Sequence, residues 1–197
     1  MKSFQDRLKF GTEAEDIFEL MLKEQILPNK GYERFTFEYL QEKHGWNIRD
    51  CQNFTKVHGD FHVDVLSAEA SSKKGWGESY MPDGKYYFDV KGTEKVSETS
   101  LMEATEGLIF AMNFHISRNH CFFLPKSQHL VDAIKNRSKE ITLPSGDKGY
   151  SIYAAEELSS FRVWTKIPRK VLSLKNRLRK EIARKETLLQ LAEQTVS

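Results

Sequence analysis

The sequence has few cysteines and no long apolar run, and each absence excludes a class of protein. Its two cysteines, Cys51 and Cys121, form no spaced motif and predict no disulfide framework. Because chains that do not rely on disulfides are typical of reducing compartments, we expect a cytoplasmic protein. No apolar stretch reaches the ~20 residues of a membrane-spanning helix, and residues 1–7 lack the apolar centre of a secretory signal. We therefore expect no membrane partner.

Repeats, low-complexity tracts and a phosphate-binding P-loop are also lacking, so the sequence does not imply ATP. The 197 residues are 39% hydrophobic and 29% charged, which is typical of a globular domain with a substantial core. The net charge is only +2, but it is distributed unevenly. Residues 165–185 contain one acid, Glu181, and nine basic residues: Lys166, Arg169, Lys170, Lys175, Arg177, Arg179, Lys180, Arg184 and Lys185. A basic block on a mildly acidic body predicts a polyanionic partner.

The periodicity of apolar residues predicts a mixed α/β (α+β) fold in which helices flank a small, mixed central sheet. We expect helices over 10–27, 97–113, 127–136 and 169–193, and strands over 61–66, 85–92, 120–124, 151–155 and 161–167. A polar, glycine-containing hairpin loop is expected over 67–85. The pattern of residues 32–52 fits neither a helix nor a strand well.

Two units are expected along the chain. Residues 1–160 would form the core domain, and residues 161–197 a long, basic C-terminal helical extension. Val171, Leu174, Leu178 and Ile182 form one apolar seam on that helix. The seam must be buried against the domain or against a second copy of itself, so a homodimer is one expectation, and a core-packing helix is the other.

The candidate catalytic and metal-binding residues lie mainly on two of the predicted strands. Asp89 and Lys91 are two residues apart on a strand, so they point to one face while Phe88 and Val90 point to the other. Asp64 lies on the preceding strand, which a hairpin would place alongside. Facing side chains of adjacent antiparallel strands lie within ~5 Å, and two carboxylates at that distance repel unless a cation lies between them. Hard oxygen ligands favour Mg²⁺ or Mn²⁺.

This pattern resembles the PD-(D/E)XK nuclease superfamily over roughly residues 9–125. The matching residues are Asp64, then Asp89-Val90-Lys91, with Glu15 on the preceding helix. The resemblance implies a restriction-endonuclease-like αβββαβ core and a Mg²⁺-dependent endonuclease that hydrolyses phosphodiester bonds in DNA with a metal-activated water. It also implies that Asp64, Asp89 and the Val90 carbonyl bind the metal, that Lys91 is catalytic, and that Glu15 is an accessory ligand or orients water.

Alternatives remain within this interpretation. Asp60 competes with Asp64 as the first acid of the motif, and Glu13 competes with Glu15. The segment from Gly11 to Glu15 is also reminiscent of archaeal-type Holliday-junction resolvases, but it does not decide among resolvase, restriction, homing and repair roles. A non-catalytic nucleic-acid-binding protein on the same fold is a further alternative.

A different metal site would use His58, Asp60, His62 and Asp64, which are spaced by two and would share one face of an unbroken strand. Such a site suits Zn²⁺ or Fe²⁺ and a small-molecule metallohydrolase. Gly59 argues for a bend that would break the row.

Basic and aromatic residues in exposed segments are the candidates for nucleic-acid contact, since ammonium and guanidinium groups bind phosphates and aromatic rings stack on bases. Three candidates, Lys73, Lys74 and Trp76, lie in the loop, and Lys95 follows the strand that carries Asp89 and Lys91. The candidates in the C-terminal helix are Lys175, Arg177, Arg179, Lys180 and Arg184.

Overall fold

A computed structural model describes residues 4–70, 79–92, 95–102, 108–112, 121–143, 145–152, 155, 158 and 161–163 of the 197-residue chain. The predicted C-terminal helix lies outside the described residues, and so do the DNA-contact candidates Lys73, Lys74, Trp76, Lys175, Arg177, Arg179, Lys180 and Arg184. Among the described helices, none combines the length and the apolar character that a membrane span requires.

Five helices and eleven strands are formed by the described residues. The helices are α1 Phe4–Lys23, α2 Phe37–His44, α3 Ile48–His58, α4 Glu98–Met102 and α5 Gln128–Arg137. The strands are β1 Asn29–Arg34, β2 Phe61–Val65, β3 Ala68–Ala70, β4 Ser79–Met81, β5 Gly84–Lys91, β6 Lys95–Ser97, β7 Leu108–Met112, β8 Cys121–Pro125, β9 Ile141–Thr142, β10 Lys148–Ser151 and β11 Phe161–Val163.

A six-stranded mixed sheet in the order β1-β2-β5-β7-β8-β11 forms the centre of the fold. Strands β1, β2 and β5 form an antiparallel meander, whereas β7 runs parallel to β5. A parallel pair needs a crossover connection, and α4 lies in that connection. The predicted mixed α/β class with helices around a central sheet is confirmed.

The strands predicted to carry Asp64 and Asp89 are adjacent, as expected, since β2 pairs with β5 in antiparallel register. Their connection, predicted as a loop over 67–85, contains the antiparallel pair β3 and β4.

Both faces of the sheet are covered. On one face, α1 buries Phe18 among Phe61 of β2 and Phe88 of β5, with ring centroids 5.0 and 5.3 Å apart. On the other face, Phe110 of β7 is buried with apolar residues of β8, α5 and β10. Each face excludes water from a continuous apolar cluster, which is the main stabilising contribution to a domain of this kind. The sheet is therefore a rigid support for whatever its polar positions hold.

The predicted helix over 97–113 is wrong in its second half. Helix α4 ends at Met102, and residues 108–112 form the central strand β7. The run Leu-Ile-Phe-Ala-Met is continuously apolar because a strand between two others, covered on both faces, presents apolar side chains in both directions. The spacing of its large residues matched a helix only by coincidence.

Residues 32–52, which the sequence pattern left unassigned, contain parts of β1 and α3 and the whole of α2. Thr36 and Asn47 cap α2 and α3 with their side-chain oxygens. The aromatic residues that looked ambiguous in sequence form a small cluster of their own, in which Phe35, Leu40 and Cys51 are buried.

The main sheet continues past the predicted domain boundary at residue 160. Strand β11 pairs antiparallel with β8 through Phe161–Val163, so these three residues form the sheet's edge. The remainder of the predicted extension, residues 164–197, lies outside the described residues.

Gly59 provides a test of how α3 joins the sheet. It has φ +72°, and a Cβ placed on it would lie 2.5 Å from the Phe88 carbonyl oxygen. We expect G59A to lower the free energy of unfolding by about 3 kcal/mol or more, since both backbone strain and steric overlap oppose it. Gly45, with φ +68° and open space around it, is the matched control, and G45A should cost about 1 kcal/mol. Urea unfolding measures both, and equal losses would contradict a steric role for Gly59.

Candidate active site

Asp89 and Lys91 lie side by side on β5, as their spacing predicted. Their side chains form an ion pair with Lys91 Nζ 2.6 Å from Asp89 Oδ1, and their exposed fractions are 24% for Lys91 and 14% for Asp89. Phe88 and Val90 point to the opposite face and are buried against α1. The strand thus presents a largely buried carboxylate–ammonium pair, and burial strengthens such a pair relative to one in water.

Asp60 joins this pair from the start of β2. Its backbone N–H donates a hydrogen bond to the Phe88 carbonyl oxygen over 2.7 Å. In return, the Val90 N–H donates a hydrogen bond to Asp60 Oδ2, also over 2.7 Å. The Asp60 carboxylate is therefore fixed against the backbone of β5, between the positions that carry Asp89 and Lys91.

The electrostatic surroundings of Asp60 are unusual. Burial raises its pKa, the negative charges of Asp89 and Glu15 raise it further, and the pKa reaches about 8 in spite of the opposing effect of Lys91. Near neutral pH the side chain therefore holds a proton in the metal-free protein. Two carboxylates this close repel each other, so a positive charge that binds between them, whether a proton or a metal ion, is stabilising.

The prediction that Asp64 lies beside Asp89 and Lys91 is wrong. In the register of β2 and β5, Asp64 pairs with Lys85. Lys85 precedes Asp89 by four residues, which corresponds to about 13 Å along the strand. The alternative acid, Asp60, occupies the position next to Asp89, because β2 and β5 run antiparallel and the start of β2 meets the end of β5.

Glu15 contributes from α1 and is held by an arginine. Arg34 of β1 donates to Glu15 over 3.0 Å and also contacts Asp16 and Glu19 at 2.7 and 2.9 Å. Burial raises the pKa of Glu15, although the hydrogen bond from Arg34 opposes this. Electrostatic interactions of Glu15 reach both Asp60 and Lys91, so the helix places a third carboxylate within electrostatic range of the two aspartates.

Lys91 remains an ammonium. Burial alone would lower its pKa, but the carboxylates of Asp89, Asp60 and Glu15 together raise it. Lys91 is therefore a fixed positive charge at neutral pH and not a free base.

The histidine-rich row does not form. His58 is the last residue of α3, and Gly59 separates it from β2. The rings of His58 and His62 instead pack on Tyr87, with centroids 5.0 and 4.8 Å apart. Burial lowers the pKa of His58, as is usual for an imidazole packed against aromatic rings.

A cleft of ≈ 420 Å³ opens beside Glu15 and Asp60. Arg34, Thr36 and Phe37 contribute to its wall. Within the described ranges, no three histidine, cysteine or acidic side chains are grouped closely enough to form a ready-made metal site. The candidate site is thus a pair of aspartates with a neighbouring glutamate, next to an open cleft.

Three further residues named in the sequence analysis, Val90, Lys95 and Glu13, lie among the described residues. Val90 contributes its N–H to Asp60, and its carbonyl as a metal ligand stays a prediction. Lys95 is exposed on β6. Glu13, the competitor of Glu15, is half-buried on α1.

Two residues of the site were missed in the sequence. Arg34, which holds Glu15, lies in the segment that could not be assigned, and its sequence neighbours gave no signal. Lys126 lies 3.9 Å from Asp89 Oδ2. The sequence contains no signal for it, since a lysine directly after a strand and a proline is ordinarily exposed.

The raised pKa of Asp60 predicts how stability depends on pH. The pKa of Asp60 in the folded protein, about 8, lies above the ordinary value of 3.8. Its protonation therefore contributes fully to the free energy of unfolding below pH ~4. That stabilisation is lost as pH rises toward 8. We expect metal-free wild type to lose on the order of a few kcal/mol relative to D60N between pH 4 and pH 8. Urea unfolding of both proteins in EDTA measures this, and parallel pH curves would contradict the environment described for Asp60.

The chain was also compared with known proteins. No protein family matches its sequence, and no curated protein or solved structure matches it either. What the chain does is therefore inferred from the geometry of Asp60, Asp89, Lys91 and Glu15.

Proposed function

We propose that the protein is a divalent-metal-dependent nuclease that hydrolyses phosphodiester bonds in DNA. The observation that carries the proposal is the convergence of Asp60, Asp89 and Lys91 where β2 begins and β5 ends, with Glu15 nearby. This is the residue set that the resemblance to PD-(D/E)XK nucleases implies, with Asp60 in the place first given to Asp64.

The connectivity supports the same proposal. Helix α1 is followed by the antiparallel meander β1-β2-β5, then by α4, and then by β7 parallel to β5. With α2 and α3 as an insertion between β1 and β2, this is the order α-β-β-β-α-β of a restriction-endonuclease-like core. The acidic residues of the motif then lie directly before its second strand, at Asp60, and on its third strand, at Asp89.

The donor set fits Mg²⁺ or Mn²⁺. Asp60 and Asp89 offer hard oxygen atoms, and the proton that Asp60 holds near neutral pH marks a place where positive charge is stabilising. These two carboxylates and the Val90 carbonyl would hold the ion. When bound, the ion would neutralise phosphate charge and lower the pKa of a coordinated water.

Lys91 supplies a fixed charge. Its ammonium lies on the sheet face that also carries Asp89, and its raised pKa keeps it protonated. We assign it to the negative charge that develops on the phosphate oxygens in the transition state, where a preorganised charge in a partly buried site is most effective. Glu15, held by Arg34 beside the cleft, would orient the attacking water.

DNA is the proposed substrate because of the charge pattern of the sequence. The basic block at 165–185 provides the phosphate contacts from which most non-specific affinity for nucleic acid arises. The cleft beside Glu15 and Asp60 would admit the phosphate to be cleaved.

Substitutions at the two aspartates and the lysine test the catalytic assignment. We expect D60N, D89N and K91M to reduce cleavage by at least ~100-fold, with D60N and D89N also losing Mn²⁺ binding in calorimetry. D64N is the matched control, because Asp64 lies on β2 opposite Lys85, away from Asp89. It should cleave and bind Mn²⁺ like wild type.

The substrate panel for this test contains a single strand, a duplex, a flap and a four-way junction, each with Mg²⁺ and with EDTA. Cleavage by D60N or D89N at the wild-type rate would refute the assignment. Binding of these DNAs without cleavage and without metal dependence would favour the non-catalytic alternative, and loss of cleavage in D64N would return the role to Asp64.

The basic block makes a separate prediction. Neutralising Lys175, Arg177, Arg179 and Lys180 by glutamine should weaken DNA binding and reduce the slope of log affinity against log salt by about 3–4, because each phosphate contact releases nearly one counterion. Fluorescence anisotropy at several salt concentrations measures the slope. An unchanged slope would assign this segment to core packing, whereas Mn²⁺ binding should stay at the wild-type value in either case.

A further inference from the structure

Lys126 is a buried lysine close to the candidate metal ligand Asp89. It follows β8, and its backbone N–H donates to the Leu108 carbonyl oxygen over 2.8 Å, which anchors it beside β7. Only 2% of its side chain is exposed. Its ammonium lies 4.4 Å from the centroid of the Phe110 ring and 3.9 Å from Asp89 Oδ2.

The two oxygens of Asp89 therefore face two different lysines. Lys91 forms a short contact of 2.6 Å with Oδ1, while Lys126 lies 3.9 Å from Oδ2. The longer distance exceeds that of a hydrogen bond, so Lys126 attracts the carboxylate by charge without occupying a lone pair of Oδ2. Lys126 therefore does not block that oxygen from binding a cation.

We propose that Lys126 is a positioning residue that fixes Asp89 in the metal-free protein and, by like-charge repulsion, limits the affinity of the site for a divalent metal ion. This inference rests on the proposed function. A buried lysine is rarely tolerated without a compensating charge, and Asp89 compensates it here. A dication arriving at Asp89 meets the charge of Lys126 at short range in a site with little water, where repulsion is weakly screened.

Calorimetric titration of the full chain with MnCl₂ at pH 8 tests the inference. We expect K126M, which keeps the length and apolar stem of the side chain, to bind Mn²⁺ about tenfold more tightly than wild type, because one nearby positive charge is removed. K126R restores the charge and should bind within about threefold of wild type. Loss of packing alone would weaken metal binding, so the direction of the change separates a charge effect from a structural defect.

Lys135 provides a matched control. Its Nζ also forms an ion pair, 2.7 Å from Glu98 Oε1, and lies 6.0 Å from the centroid of the Tyr150 ring. K135M should leave the affinity for Mn²⁺ unchanged. Thermal melting confirms that each variant is folded, and K126Q replaces K126M under the same criterion if K126M does not fold.

The outcomes for the two proposals are distinguishable. If wild type binds Mn²⁺ through Asp60 and Asp89 but K126M binds it equally or more weakly, the role of Lys126 is overturned while the nuclease proposal stands. If wild type does not bind Mn²⁺, the proposed function fails, and the inference about Lys126 fails with it.

Discussion

The hydrogen bond from the Val90 N–H to the Asp60 carboxylate is the contact on which the candidate site depends. It brings an acid from the start of one strand against the backbone of its neighbour, between Asp89 and Lys91. The contact requires the chain before β2 to approach Phe88 closely, which it does at Gly59, a residue without a side chain. With a larger residue there, the two aspartates could not share a cation at the end of the sheet.

The covered sheet explains why polar groups can be placed so closely. Phe18, Phe61 and Phe88 pack on one face, and Phe110 with its neighbours packs on the other. Because these interiors are close-packed, β2 and β5 have little freedom to move the carboxylates apart. The repulsion between Asp60 and Asp89 is therefore relieved by a proton, by lysines or by a cation, and not by displacement of the strands.

The sequence predicted those parts of the fold and site that depend on local alternation. Asp89 and Lys91 share a face because residues two apart on a strand always do, and β2 pairs with β5 because a hairpin connects them. The choice between Asp60 and Asp64 depends instead on the pairing register and on where a helix ends, and neither follows from alternation. Asp64 has the β-branched neighbours typical of a strand, whereas the position beside Asp89 belongs to Asp60, which lies just after Gly59 and before the first residue of β2.

Long-range pairings account for the remaining differences. The continuous apolar run at 108–112 is compatible with either a helix or a strand when read alone, and only its place between β5 and β8 makes it a strand. Arg34 contacts Glu15 from 19 residues away, and Lys126 reaches Asp89 across β7. No sequence window includes such partners, so the charges that tune a site are the hardest part to predict.

The charges around Asp89 explain how one site could exist in two states. Without metal, the negative charge of Asp89 is opposed by Lys91 and Lys126, while Asp60 avoids a second negative charge by holding a proton. A divalent ion bound between the aspartates would take over the role of that proton, so binding would release it and would strengthen as pH rises toward the pKa of Asp60. Under the proposed function, the same carboxylate that weakens the metal-free fold at high pH would then hold the metal ion.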